Sequence, residues 1–328
     1  MRIAGSIVAF LILTAGFVSV AHAQFLGVEP VTVTVSPQYP APYQTVTISP
    51  SSTLVDLSAS TVTITVNGKP VYAGTGSEGA SFAVGGPGEE SVIVISVENN
   101  GQRYEKRLTI APASVALVME PVSTTHPFYA GAALLAPQGR VRLIALADLR
   151  TASGATLSPA SLVYNWKLGD QQLLAQSGIG RSSLTALAPL RYRDADLTVT
   201  VSSMDGRVAG QASITLEPAD PKLVVYRQEP LRGADYENAL SDSYTMMGDE
   251  DSFRAVPYFF ATRPTILWNI DGKDSGTDAV VTVRTTGQGG GTAALSVDAS
   301  LPNTLEGVTK ALSLSYGASA QASGFFGL

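Results

Sequence analysis

Strict alternation of β-branched apolar residues with threonine runs through this chain. Val31-Thr32-Val33-Thr34-Val35 is one stretch, Thr61-Val62-Thr63-Ile64-Thr65-Val66 a second and Leu197-Thr198-Val199-Thr200-Val201 a third. Successive strand side chains point to opposite faces, so this pattern builds strands with one buried and one wet face. Asn67-Gly68, Asn99-Asn100-Gly101, Asp205-Gly206 and Asp271-Gly272 punctuate the runs. Asn-Gly and Asp-Gly accept the positive φ angles of tight hairpins. Helical spacing is nearly absent beyond the N-terminal segment. Many short strands with regular turns specify a sandwich or barrel.

The pattern is periodic on a longer scale. Ile64-Thr-Val-Asn-Gly68, Trp166-Lys-Leu-Gly-Asp170 and Trp268-Asn-Ile-Asp-Gly272 recur at a constant spacing of 102 residues. Leu117-Val-Met-Glu-Pro121 resembles Leu223-Val-Val-Tyr-Arg-Gln-Glu-Pro230 upstream of the second and third copies. Each block closes with a strand–turn–strand unit, and Ala111-Pro112 and Glu217-Pro218-Ala219-Asp220-Pro221 fall at the junctions. Proline ends pairing there and stiffens a short linker. Blocks of about 100 residues match an immunoglobulin-like sandwich. The expected fold is therefore all-β: three consecutive immunoglobulin-like β-sandwich domains over residues 24–112, 113–219 and 220–317. Ile64, Trp166 and Trp268 are expected at the core of each.

On these residues the chain resembles the Ig-like and PKD-type sandwich repeats of secreted bacterial multi-domain proteins. Its third block is similar to a widespread family of exported bacterial Ig-like proteins. The similarity lies in Val225-Tyr226, Glu229-Pro230-Leu231 and Val256-Pro257-Tyr258-Phe259-Phe260. PKD repeats carry a Trp-x-Phe-Gly-Asp-Gly turn that this chain lacks, and the antibody-type cysteine pair is missing. The resemblance implies a surface or envelope protein with structural rather than catalytic motifs.

Residues 1–23 read as a secretory leader. Met1-Arg2 is the positive end, Ile3–Val20 the apolar stretch and Ala21-His22-Ala23 the small-residue cleavage site. An uncleaved membrane anchor is the alternative, since the apolar stretch nearly spans a bilayer. Cleavage leaves no further transmembrane run. The absence of cysteine does not contradict export, because a sufficiently large β core needs no disulfide. Residues 318–328 read as a flexible tail.

The same composition narrows function. Without cysteine there is no thiol nucleophile, zinc-thiolate site or iron–sulfur cluster. A net charge of −6 gives no broad footprint for nucleic acid. There are two histidines, one inside the leader. The other, His126, lies in Thr124-Thr-His-Pro-Phe128 and reads as a surface loop residue. No Gly-x-Ser-x-Gly, His-Glu-x-x-His or Walker pattern occurs. Gly289-Gly-Gly291 lacks the Lys-Ser/Thr of a phosphate loop and reads as a hairpin.

Carboxylates and aromatics remain. Asp249, Glu250 and Asp251 form one acidic group, and Asp271, Asp274 and Asp278 a second. Calcium takes six to eight oxygen ligands, but the second group lacks EF-hand spacing. A solvated turn is the competing account of both groups, and no other cofactor is expected. Phe128-Tyr129 and Tyr258-Phe259-Phe260 are the candidate interaction surface, because exposed aromatics bind sugars and proteins. Alternation argues instead that one face of Tyr258–Phe260 packs beneath Trp268, leaving Phe259 or its neighbours to cover a junction.

The leading expectation is a non-enzymatic extracytoplasmic scaffold. Its partners would be cell-envelope or surface proteins, with glycans as a further class. The alternative is a carbohydrate-binding or adhesin-type module stiffened by calcium.

Overall fold

A computed structural model describes residues 29–286, 289–302, 304 and 306–317. The expected leader, residues 1–23, and the expected tail, residues 318–328, lie outside the described residues. The chain folds as three consecutive immunoglobulin-like β-sandwiches. Among the described residues, the helical elements are two single 3₁₀ turns, Leu57–Ala59 and Pro159–Ser161. No described helix is long and apolar enough to cross a membrane.

The first sandwich contains β1 (Thr32–Ser36), β2 (Thr45–Ser51), β3 (Thr61–Val66), β4 (Lys69–Thr75), β5 (Ala80–Ala83), β6 (Ser91–Asn99) and β7 (Gln102–Ile110). One sheet runs β1-β2-β5 and the other β4-β3-β6-β7. Period two decides what is buried. Val46 and Ile48 of β2 face inward, as do Ile93, Ile95 and Val97 of β6, while Thr45, Thr47 and Ser49 face water. Each fully buried Val or Ile contributes roughly 1.5–3 kcal/mol of transfer free energy.

The second sandwich repeats this plan. It comprises β8 (Ser114–Pro121), β9 (Arg140–Asp148), β10 (Val163–Leu168), β11 (Gln171–Gln172), β12 (Gly178–Ile179), β13 (Ser183–Leu187), β14 (Ala195–Ser202) and β15 (Ala209–Leu216). Its sheets run β13-β9-β8 and β11-β10-β14-β15, with β12 also pairing β10.

The third sandwich is elaborated. Its strands are β16 (Lys222–Glu229), β17 (Gly233–Ala239), β18 (Ser243–Thr245), β19 (Glu250–Tyr258), β20 (Thr265–Ile270), β21 (Lys273–Gly276), β22 (Val280–Arg284), β23 (Gly291–Ser300) and β24 (Gly307–Tyr316). The sheets run β17-β16-β19-β22 and β18-β24-β23-β20-β21. The added β17 folds back on β16 as an edge strand, and β18 joins β24 in parallel. No alternation announces β17, whose sequence Gly233-Ala-Asp-Tyr-Glu-Asn-Ala239 is mostly polar.

Ile64, Trp166 and Trp268 occupy one position of the three sandwiches. All are 0% exposed, and they lie opposite Ile95, Val199 and Val297 respectively. Each indole N–H finds a carbonyl: Trp166 Nε1 donates to Arg181 O and Trp268 Nε1 to Asp278 O, both at 2.9 Å. A buried indole without such an acceptor would carry a desolvation penalty. The hairpin turns that follow repeat as well. Asn67-Gly68 has φ of 49° and 77°, and Asp271-Gly272 has 48° and 75°. Asn67 Oδ1 accepts from Val92 N at 2.8 Å, just as Asp271 Oδ1 accepts from Ala294 N at 2.8 Å.

The sandwiches touch through short contacts. Gly88 N donates at 2.9 Å to the carbonyl of the linker residue Pro112, and Gly88 lies so close to the second sandwich that an added Cβ would meet Arg150 O at 2.5 Å. At the junction of the second and third, the linker residue Ala219 donates its N–H to Leu135 O of the second at 2.8 Å, and Arg191 Nε of the second pairs with Asp220 Oδ1 at 2.7 Å.

Candidate functional site

The long connection from β8 to β9 leaves the second sandwich and lies across the outer face of the third. Residues 123–131 act as a strap. Thr124 anchors it. Its N–H donates to Phe260 O at 3.0 Å, its carbonyl accepts from Phe259 N at 2.8 Å, and its hydroxyl accepts from Phe260 N at 3.0 Å.

Beneath the strap lies an aromatic cluster separate from the Trp268 core. Tyr226, Val256, Tyr258 and Phe259 are buried there, with Tyr129 and Tyr236 partly buried against them. The cause is visible along β19. Phe253 and Ala255 face the sandwich interior, so Val256 and Tyr258 face outward by period two, and the strap covers them. Phe259 then adopts φ of 62°, a conformation disfavoured for a bulky L residue. The resulting break in alternation places Phe259 beside Tyr258 under the strap and sends Phe260 inward to the Trp268 core. The expectation that one face of Tyr258–Phe260 packs beneath Trp268 is thus corrected: Phe260 alone does so.

His126 is the centre of the strap and is not a free surface residue. Its ring stacks on Tyr236 with centroids 4.5 Å apart and planes 11° from parallel. It meets Tyr129 and Tyr258 edge-on at 5.7 and 5.8 Å. Phe128 N donates to His126 Nδ1 at 3.2 Å, and Tyr129 N to His126 O at 3.1 Å. These bonds close a tight turn that holds Phe128 out in solvent, 81% exposed. Under the stack, the hydroxyls of Tyr226 and Tyr258 are 2.8 Å apart and buried. Burial, then the Tyr226 hydroxyl, pushes the Tyr258 phenol far above its ordinary value of 10.

Two clefts flank the His126–Tyr236 stack. The larger, about 840 Å³, has the strap residues 126 and 128–131 on one side and residues 233–238 of β17, with Glu229 and Arg232, on the other. Arg232 Nε lies 4.0 Å from Glu229 Oε2, and Asn238 Nδ2 donates to Asp235 Oδ2 at 3.0 Å. The smaller, about 490 Å³, lies toward Arg254 and Arg263. The hydroxyl of Ser123, one of its lining residues, is buried without a hydrogen-bond partner. A further cleft of about 610 Å³ lies between Glu90 of the first sandwich and Ser203–Val208 of the second. It has no aromatic lining, and its Asp205 and Arg207 pair with each other at 3.6 Å.

Three of the six acidic side chains, those of Glu250, Asp251 and Asp271, are engaged by protein partners. Asp251 is buried: Oδ1 accepts from Arg227 Nε at 3.3 Å, and Oδ2 accepts from Met247 N at 2.9 Å and the Tyr244 hydroxyl at 3.4 Å. Glu250 pairs with Arg284, and Asp249 accepts from Thr285 N through its main-chain carbonyl. Asp271 spends a carboxylate oxygen on Ala294 N, Asp274 lies on β21, and Asp278 supplies a carbonyl to Trp268. Among the described residues, no three carboxylates or histidines converge in a metal-holding arrangement.

The structure therefore brings Tyr129, Tyr258 and Phe259 together, leaves Phe128 apart from them in solvent, and assigns Phe260 to the core. Sequence reading missed Tyr226, Tyr236 and Arg232. The usable signal was Glu229-Pro-Leu-Arg-Gly233, a turn between two tyrosine-bearing segments.

No protein-family model matches the chain, and no curated protein matches it. Among solved structures, it is similar to the three N-terminal domains of the bacteriophage RB49 Highly Immunogenic Outer Capsid protein. That match has 14% identity over 87% of this chain and 98% of that one, with a TM-score of 0.26. The central fibronectin-III array of RIM-binding protein matches at 10% identity over 86% and 97%, with a TM-score of 0.27. Immunoglobulin domains 1–4 of Sidekick-1 match at 10% over 88% and 99%, with a TM-score of 0.22. Likeness at this level speaks to neither activity nor partner.

Proposed function

We propose that this protein is a non-enzymatic, extracytoplasmic interaction scaffold. Its leader, residues 1–23, is removed on export, and its domains span residues 24–112, 113–219 and 220–317. The partners are components of the cell envelope or surface. The observation that carries this reading is the strap: the second sandwich lends residues 123–131 to the third, and together they build a recognition cleft that neither has alone. Binding sites favour such junctions, where two rigid units supply opposite walls. A second reading, a carbohydrate-binding or adhesin-type module, is favoured by the exposed ring of Phe128, presented by a hydrogen-bonded turn.

The test is a photo-crosslinking amino acid at position 128 of the full chain, expressed in the native cell. The reading expects a processed protein starting at Gln24 outside the cytoplasm and one discrete envelope adduct. Cytoplasmic retention, or no adduct at position 128, would overturn it.

A further inference from the structure

We infer that the cleft between the strap and β17 binds a sugar chain, with a pyranose ring packed on Phe128. This deepens the second reading above and rests on the junction being the recognition site. A pyranose has an apolar C–H face and a rim of hydroxyls that both donate and accept. It therefore needs a flat apolar surface beside polar groups of both kinds. Phe128 supplies the surface. Its ring is 81% exposed and pairs with no other aromatic ring among the described residues. The hydrogen bond from its N–H to His126 Nδ1 fixes the backbone turn that presents it, so binding has only the side chain left to order there. Across the cleft, Glu229 and Asp235 accept, Arg232 donates, and the Asn238 amide does both. At about 840 Å³ the cleft falls in the range typical of small-molecule sites.

The competing occupant is an extended peptide added to β17, the edge of its sheet. Two features oppose it. β17 carries Asp235 and Glu237, and its register against β16 is broken between Tyr226 and Gln228. Charged side chains and irregular pairing are how edge strands resist strand addition.

The experiment is calorimetric titration of the full chain with cellotetraose, chitotetraose and maltotetraose, backed by a broad glycan array. We expect at least one of these probes to bind, and Phe128→Ala to weaken that binding by about tenfold with no change in melting temperature. Arg232→Ala, also at an exposed position, should weaken it while leaving the fold intact. Silence of every probe, or wild-type affinity in Phe128→Ala, overturns the inference. If the position-128 crosslink to an envelope component survives that result, the scaffold reading stands and only the sugar is lost. If neither sugar nor adduct is found, both fall.

Discussion

The hydroxyl of Tyr226 lies 2.8 Å from that of Tyr258, inside an aromatic cluster that shares no residue with the core around Trp268. The third sandwich thus has two buried regions. One is the ordinary interior between its sheets. The other lies on an outer face and is completed by the strap from the preceding sandwich. The inter-domain geometry and the candidate cleft both depend on that second region.

The tyrosine pair gives a double-mutant cycle. Tyr258→Phe leaves the Tyr226 hydroxyl buried without its partner, at a cost of about 1–3 kcal/mol. Replacing both by Phe should recover most of that loss, because no polar group is then stranded. Urea denaturation of the four variants measures the coupling; strictly additive losses would show that the two hydroxyls do not interact.

The repeated core position predicts equal penalties in two domains. Trp166→Ala and Trp268→Ala should each cost roughly 3–5 kcal/mol. Both rings are fully buried, and both donate to a carbonyl that would be left unpaired. Chemical unfolding monitored by far-UV circular dichroism would detect this, and a loss below about 1 kcal/mol would contradict a core role.

Glu306 predicts an acid-side gain in stability. It is 7% exposed, with Oε2 unpartnered. Burial raises its carboxyl above the ordinary 4.5; Arg191 opposes the shift, and Asp220 adds to it. A carboxyl raised on folding contributes stability that is complete below its unfolded value and disappears as pH rises through the folded one. Glu306→Gln should therefore melt higher than wild type at neutral pH, the difference shrinking toward pH 4.5. Asp148, lowered by its bond to Arg150, works in the opposite sense and is common to both proteins. Melting curves across that window decide it, and a difference independent of pH would contradict the assignment.

Gly88 couples the first two sandwiches. Its φ is +77°, and an added Cβ would meet Arg150 O at 2.5 Å. Gly88→Ala should displace that contact and separate the melting of the first sandwich from the rest. Calorimetry showing an unchanged single transition would refute this.

Calcium should leave the melting temperature unmoved. Both carboxylate oxygens of Asp251 and Oδ1 of Asp271 already accept protein donors, Glu250 is paired with Arg284, and among the described residues no three acidic groups converge. A chelator-reversible rise of several degrees would show that these carboxylates rearrange around the ion.

How much was legible in the sequence follows from the range of the forces involved. Alternation at Val46/Ile48 and Ile93/Ile95/Val97, glycine after Asn67 and Asp271, and the 102-residue spacing of Ile64, Trp166 and Trp268 are local or periodic signals. They determined the strands, the turns and three consecutive sandwiches, because side-chain alternation and left-handed turns act over a few residues. The strap obeys no such rule. His126 reads as a surface loop residue until Tyr236, 110 residues away, stacks on it. Tyr258 looks like a core residue until the strap covers the outer face that it shares with Val256, and the positive φ of Phe259 sends Phe260 alone to the core. Contact between distant segments decided these features. Only the tertiary structure brings the strap onto β19 and creates the cleft.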